Sequence, residues 1–334
     1  MLISLEQVKE ARRNIVGSAI RTPLVRLDPS ASPSTSLRTR LRAGAFDAPC
    51  EVYLKLENLQ PIGSFKIRGA ANAMAHTPKE QLARGVLTAS AGNMAQGVAW
   101  RARELGIPCT VVAPDTAPET KIKAIERLGG RVIKVPFERW WQTFQERAYP
   151  GVDAAFIHAF DDPHVMAGNG TIALEILEDL PDVEAVVIPW GGGGLTCGIA
   201  SAMRALKPNV RLYAAEVETG APLAASLKTG SPQIVDYKPS FVDGIGSKTV
   251  FPQMLERAQQ LIDGALVASL DEVAAALRLM AERNRVIAEG AGACPVACAL
   301  SGQAGGGKVV CIVSGGNIDL NKLCAVLGDN LHAY

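Results

Sequence analysis

Short apolar runs rich in Val, Ile and Ala recur along the chain, and helix-period segments fill nearly every interval between them. Residues 52–56, 86–89, 110–113, 132–135, 155–159, 185–189, 212–216 and 309–313 carry the strand pattern. Strands that alternate with helices in this way build crossover units, so parallel sheets are expected. Several helix starts are readable. Ser4 with Gln7 and Ser269 with Glu272 form capping boxes, the second ahead of a helix over 273–283. Pro118 suits the first turn of a helix reaching Leu128, which Gly129 and Gly130 close. The polar stretch 229–248 reads as a long loop, and loops of that length are often functional. With no internal repeat, low-complexity tract or linker, two lobes are expected to interleave: a large one over 1–75 and 160–334, a small one over 76–159.

Composition narrows the class. At 334 residues the chain exceeds the size at which one core keeps growing, in line with two lobes. A hydrophobic share of 48% with only 5% aromatic residues fits an Ala-rich α/β enzyme and fits a disordered chain poorly. Thirty-four Lys and Arg against 33 Asp and Glu leave a net charge of +1 and no basic stripe, so nucleic acid is not an expected partner. The first residues lack a basic segment ahead of a long apolar block, and no window approaches a membrane span, so a cytoplasmic location is expected. Cys50, Cys109, Cys197, Cys294, Cys298, Cys311 and Cys324 include no C-x-x-C pair; they read as reduced thiols outside the chemistry.

Two local patterns bear on that chemistry. Gly191, Gly192, Gly193 and Gly194 follow the run 185–189 and precede a helix over 196–206. Without side chains their amides approach an anion closely, and the helix dipole adds positive potential there. A tight turn needing positive φ is the plain alternative. The Lys-Ser/Thr step of a nucleotide-hydrolase loop is missing, and G-x-G-x-x-G is met only in part, which leaves a dinucleotide fold as the second reading of this motif alone. Lys66 is the other pattern. A lysine in a first helical turn is ordinarily a solvated charge. Here Gly63, Phe65, Ile67 and Ala70 suggest a partly buried face, and desolvation lowers an amine's pKa toward the neutral nucleophile that Schiff-base chemistry needs. Arg68 reads as a surface cation. Ser90 and Asn93 precede a helix running to about Leu105 and suit a helix cap, while the amides of this turn suit a substrate carboxylate.

Ser64-Phe65-Lys66-Ile67-Arg68-Gly69-Ala70 together with Ala89-Ser90-Ala91-Gly92-Asn93 resembles the serine/threonine dehydratases, pyridoxal-phosphate enzymes of fold type II. Gly170-Thr171-Ile172-Ala173-Leu174-Glu175, the glycine quartet with Leu195, Glu289-Gly290-Ala291-Gly292-Ala293 and Ser314-Gly315-Gly316-Asn317 resemble that family in order and approximate spacing, over nearly the whole chain. The resemblance implies a tryptophan-synthase-β-like α/β fold of two interleaved lobes, with twisted, mainly parallel sheets and pyridoxal 5'-phosphate between the lobes, bound by the large one. It implies that Lys66 carries the cofactor as a Schiff base and removes the substrate's α-proton. Gly191, Gly192, Gly193, Gly194 and Leu195 would hold the phosphate, Asn93 the phenolic oxygen and Ser314 the pyridine nitrogen, with Phe65 lining the cofactor cavity. Ser90, Ala91, Gly92, Asn93 and Met94 would take the substrate carboxylate. The implied reaction is dehydration of a 3-hydroxy-L-amino acid to a 2-oxo acid and ammonia, by a homodimer.

Departures from the family pattern matter too. Ala91 stands where serine racemases place a serine that protonates the opposite face, which favours a dehydratase over a racemase. A β-replacement synthase is disfavoured by Ser64-Phe65-Lys66 and Ala91, and a non-catalytic cofactor-binding protein by intact Lys66, Asn93 and Ser314. Glu216 matches one acidic cation ligand of several relatives, but Pro222 stands at a second such position; no metal is expected, with Glu216 the weak candidate. Met94 replaces a common histidine and Trp190 a small residue, which suits a bulkier substrate such as phenylserine unless both pack away from it. Asn169 replaces a common glutamine. The end at Tyr334 leads to the expectation that no regulatory domain follows.

Overall fold

The computed structural model describes residues 2–27 and 50–328. In chain order its elements are α1 (Leu5–Asn14), β1 (Leu24–Arg26), β2 (Cys50–Lys55), α2 (Lys66–His76), α3 (Lys79–Ala83), β3 (Val86–Ala89), α4 (Asn93–Leu105), β4 (Cys109–Pro114), α5 (Glu119–Arg127), β5 (Arg131–Val135), α6 (Phe137–Glu146), β6 (Ala155–Phe156), α7 (Pro163–Asp179), β7 (Ala185–Pro189), α8 (Gly194–Leu206), β8 (Arg211–Val217), α9 (Pro222–Thr229), α10 (Pro252–Leu261), β9 (Gly264–Ala268), α11 (Leu270–Asn284), α12 (Gly290–Leu300), β10 (Gly307–Ile312) and α13 (Leu320–Leu327). Six strands form one sheet in the order β1-β2-β10-β7-β8-β9, and four form another in the order β5-β4-β3-β6. Only β1 with β2 is antiparallel; every other pairing among these strands is parallel.

The apolar runs are continuous because both faces of the large sheet are covered by helices. In β10, Val309 and Cys311 enter the core made with α11 and α12, whereas Val310 and Ile312 enter that of α1, α7, α8 and α10. Each buried Val or Ile of this kind contributes roughly 1.5–3 kcal/mol. In the smaller sheet Val86 and Val111 pack on α2 and α4, while Leu87 and Val112 face the opposite side near Trp140 of α6. Both capping boxes are present, at Ser4 with Gln7 and at Ser269 with Glu272. Pro118 stands one place earlier than expected, at the cap rather than in the first turn of α5. Among the described residues no helix is long and apolar enough to cross a membrane.

Three differences from the sequence pattern have physical reasons. The three residues of β1 form an antiparallel edge too short to show a period, and β9 carries two alanines and a glycine in place of β-branched residues. The expected strand 155–159 leaves the sheet after Phe156; Ile157 still donates to the Leu87 carbonyl at 2.8 Å, and beyond it the chain turns toward Lys66. Arg68, expected at the surface, is 1% exposed. Its guanidinium bonds Glu57 through Nε and Nη2, both at 2.8 Å, and Glu175 through Nη1 at 2.6 Å and Nη2 at 2.9 Å. Lys55 completes the cluster, donating to Glu175 and to the Thr22 carbonyl, each at 2.6 Å. Burial works against the Arg68 charge, but Glu57 and Glu175 outweigh it and hold its pKa above the ordinary guanidinium value.

Removing one partner of a buried ion pair leaves the other uncompensated. Arg68→Ala is therefore expected to lose about 3–5 kcal/mol of stability, and urea unfolding followed by circular dichroism measures the loss.

Candidate active site

A cavity of about 430 Å³ opens where the carboxyl ends of several parallel strands meet the loops that follow them. Lys66 lines it from the start of α2, and Ser90, Ala91, Gly92, Asn93, Met94 and Gln96 from the turn between β3 and α4. Residues between β4 and α5, Ala159 beyond β6, and Asp243 with Gly244 in the irregular stretch 230–251 supply further walls. Glu289 ahead of α12 and Asn317 beyond β10 close it.

The Lys66 amine donates to the Ala159 carbonyl at 2.7 Å and lies 5.2 Å from the centroid of the Phe65 ring. Desolvation by burial lowers its pKa to about 8 despite the opposing charge of Glu289. Burial acts on Glu289 with the opposite sign, raising its carboxyl to about 7 although the Asn93 amide bonds it. Burial of both groups thus brings an amine and a carboxyl toward neutral pH from opposite sides.

The turn 90–94 presents donors by construction. Helix α4 begins at Asn93 with Gly92 at its cap and no side-chain cap, so the helix-cap alternative for Ser90 and Asn93 does not hold. Ser90 Oγ accepts from the Gly92 amide at 3.2 Å, while the Asn93 carboxamide bonds Glu289 and Asn317. The first amides of a helix have no intrahelical acceptor, which leaves those of Asn93 and Met94 for an anion.

Phe65, Ser314, the four glycines and Leu195 lie beside this cavity rather than on its wall. The Phe65 amide donates to the Ser314 carbonyl at 3.0 Å, which ties the start of α2 to the segment after β10. Gly191, Gly192 and Gly193 lead from β7 into α8, whose first residues are Gly194 and Leu195. A Cβ on Gly192 would stand 2.1 Å from the Phe160 ring, and Gly193 holds φ +88° at the cap, so glycine is required at both. Asn169, without an expected role, donates to the Gly194 carbonyl at 3.3 Å and ties α7 to this turn. A cradle without side chains at a helix start, packed on the Phe160 that follows the Lys66 acceptor Ala159, fits the phosphate and aldehyde of pyridoxal phosphate.

For three residues the structure bears on alternatives that the sequence left open. Trp190 is 1% exposed and packs under Gly193, away from the cavity wall. Met94 touches the cavity but is 2% exposed within the core of α2 and α4. Both Glu216 oxygens accept from the first amides of α9, Leu223 at 2.9 Å and Ala224 at 2.7 Å, so its carboxylate serves as a helix-end acceptor. Burial lifts its pKa to about 7. No cysteine lines the cavity, and burial pushes the thiols of Cys109 and Cys197 up to about 12. Glu289, Asn317, Ala159 and Asp243 had no assigned role in the sequence; the only signals were the motifs holding Glu289 and Asn317 and the long loop holding Asp243.

The model of the family described as pyridoxal-phosphate dependent enzyme matches residues 20–315. The L-threonine ammonia-lyase of Thermotoga maritima is 41% identical over 333 residues, 99% of this chain and 79% of that protein. The catabolic L-threonine dehydratase TdcB of Staphylococcus aureus is 37% identical, covering 99% and 94%. Among solved structures, serine racemase from Dictyostelium discoideum superposes with a TM-score of 0.82 at 32% identity, covering 95% of this chain and 99% of that one. The processed threonine deaminase isoform 2 of Solanum lycopersicum gives 0.80 at 32%, covering 97% and 93%.

The titration of Lys66 is directly measurable. Below about pH 8 its amine is mostly protonated and above it mostly neutral. Competitive acetylation of the cofactor-stripped protein, mapped by mass spectrometry, should show Lys66 reactivity rising with a midpoint near pH 8.

Proposed function

The chain belongs to the pyridoxal-phosphate dependent enzymes, and we propose that it dehydrates 3-hydroxy-L-amino acids, threonine or serine, to a 2-oxo acid and ammonia, acting in the cytoplasm as a homodimer. The observation that carries the reading is the Lys66 amine, held at a pKa of about 8 in a cavity that also presents the helix-start amides of 90–94. Full-length similarity to proteins called threonine ammonia-lyase and threonine dehydratase supports it. Family resemblance supports the homodimer.

Lys66 would hold the cofactor through its amine, the turn of Gly191, Gly192, Gly193 and Gly194 with Leu195 would hold its phosphate, and Asn93 and Ser314 would meet its ring. Bound there, pyridoxal phosphate supplies an electron sink for the charge left when the α-proton departs. The residues do the rest. Amides at the start of α4 orient the substrate carboxylate, whose charge the helix end favours. The Lys66 amine, freed once the substrate's amino group has taken its place, would take the α-proton as a general base. Loss of the β-hydroxyl as water follows, and hydrolysis of the released enamine yields the 2-oxo acid and ammonia.

Ala91 on the cavity wall has a methyl group and no proton to offer, which disfavours a racemase. Trp190, turned away from the cavity, removes one of two supports for phenylserine, so threonine and serine are the preferred substrates.

Ammonia and 2-oxo acid release from threonine, serine and phenylserine tests the proposal, with phenylserine expected slowest. Lys66→Ala should lower turnover by at least roughly a thousandfold. Borohydride reduction should place the cofactor adduct on Lys66; an adduct elsewhere, or undiminished turnover in the variant, contradicts the mechanism.

A further inference from the structure

We propose that Glu289 and Asn317 are positioning residues that clamp the Asn93 carboxamide from two sides, so that it turns an N–H, and not its carbonyl, toward the cavity that Lys66 lines. The proposal depends on the dehydratase reading only for what receives that N–H, an acceptor oxygen on the bound cofactor.

The orientation follows from a group that can only accept. The Ile62 backbone carbonyl has no proton to give, so the atom facing it at 2.8 Å must be the Asn317 amide nitrogen. That nitrogen has a second hydrogen, and it points to Asn93 Oδ1 at 2.8 Å. The Asn93 carbonyl is thereby fixed on the Asn317 side. Its Nδ2 falls on the other side, 3.0 and 3.2 Å from the two Glu289 oxygens. An ionised carboxylate accepts only, so above its pKa of about 7 Glu289 enforces the same orientation from its own end. Nδ2 carries two hydrogens and Glu289 takes one, which leaves one N–H for a ligand.

Burial makes the arrangement selective. Glu289 is 5% exposed, and a buried acceptor left without a donor is costly. A flipped Asn93 would set carbonyl against carboxylate on one side and amide against amide on the other. Charged groups around the clamp come from three further elements: Lys66 of α2 and Lys121 of α5 favour the Glu289 charge, and Asp243 of the stretch 230–251 opposes it. Lys322 of α13 sits behind Asp243 at 3.3 Å.

The experiment compares holoenzyme with Asn317→Asp, Asn317→Ala and Glu289→Gln, each first checked for folding by circular dichroism. Asn317→Asp puts an acceptor opposite the Asn93 carbonyl. Its Kd for pyridoxal phosphate should rise about tenfold, the size of one lost hydrogen bond, and the pH midpoint of its visible absorption band should move. Glu289→Gln keeps an acceptor for Nδ2, so its Kd should stay within about threefold of wild type while the pH dependence due to the carboxylate disappears. Because the clamp acts through Asn93, adding Asn317→Ala to Asn93→Ala should weaken cofactor binding no further. Wild-type Kd and band midpoint in folded Asn317→Asp overturn the clamp, as do additive losses in the Asn93→Ala cycle, which also decides the matter if Asn317→Asp does not fold. Borohydride trapping in wild type tests the cofactor reading separately. Neutron diffraction of the cofactor-free protein reads the amide without any ligand: an Asn93 deuteron toward Glu289 supports the clamp, and a bare oxygen there refutes it.

Discussion

Four charges buried together, those of Lys55, Glu57, Arg68 and Glu175, set where the Lys66 amine can be. The set is neutral as a whole, and Thr22, Gln60 and Thr171 add hydrogen bonds to its members. Burying such charges is expensive unless each is paired and bonded, so the cluster tolerates few alternative geometries. Arg68 is two residues beyond Lys66, Lys55 ends β2, and Glu175 lies within α7. Satisfying the cluster therefore fixes the first turn of α2 against both the large sheet and α7. Backbone contact tightens this further: a Cβ at Gly168 of α7 would stand 2.4 Å from the Arg68 carbonyl. Rigid support of this kind is what a reacting group needs, because small misplacements at such a group cost rate steeply.

The parts of the molecule legible in the sequence are those whose physics is local. Parallel strands covered on both faces show themselves as apolar runs, and the glycine turn at 191–194 shows itself because no other residue fits beside Phe160. Capping boxes span three residues and were equally plain. Arg68 was misread because its partners stand 11 and 107 residues away, and nothing in its own neighbourhood announces a buried carboxylate. Asn93 and Asn317 are 224 residues apart, and each alone resembles an ordinary turn asparagine. Trp190 left two readings open for a related reason: its place next to the glycine turn is local, but the side of the strand end its ring takes is set by α10 and α8, which the sequence does not order in space.

Desolvation, more than pairing, decides the protonation states in the cavity. Lys66 and Glu289 each stabilise the other's charged form, yet both are shifted toward neutrality, the amine to about 8 and the carboxyl to about 7. Loss of hydration thus outweighs their mutual attraction. Two groups so close in pKa and electrostatically linked titrate as a pair, and each proton lost from one changes the affinity of the other. The doubly charged pair is confined to the region around pH 7 to 8, where the two titrations meet. Above it the carboxylate remains while the amine is neutral and able to take a proton. Less complete burial would return both groups toward their ordinary values, and the amine would then stay charged well above pH 8.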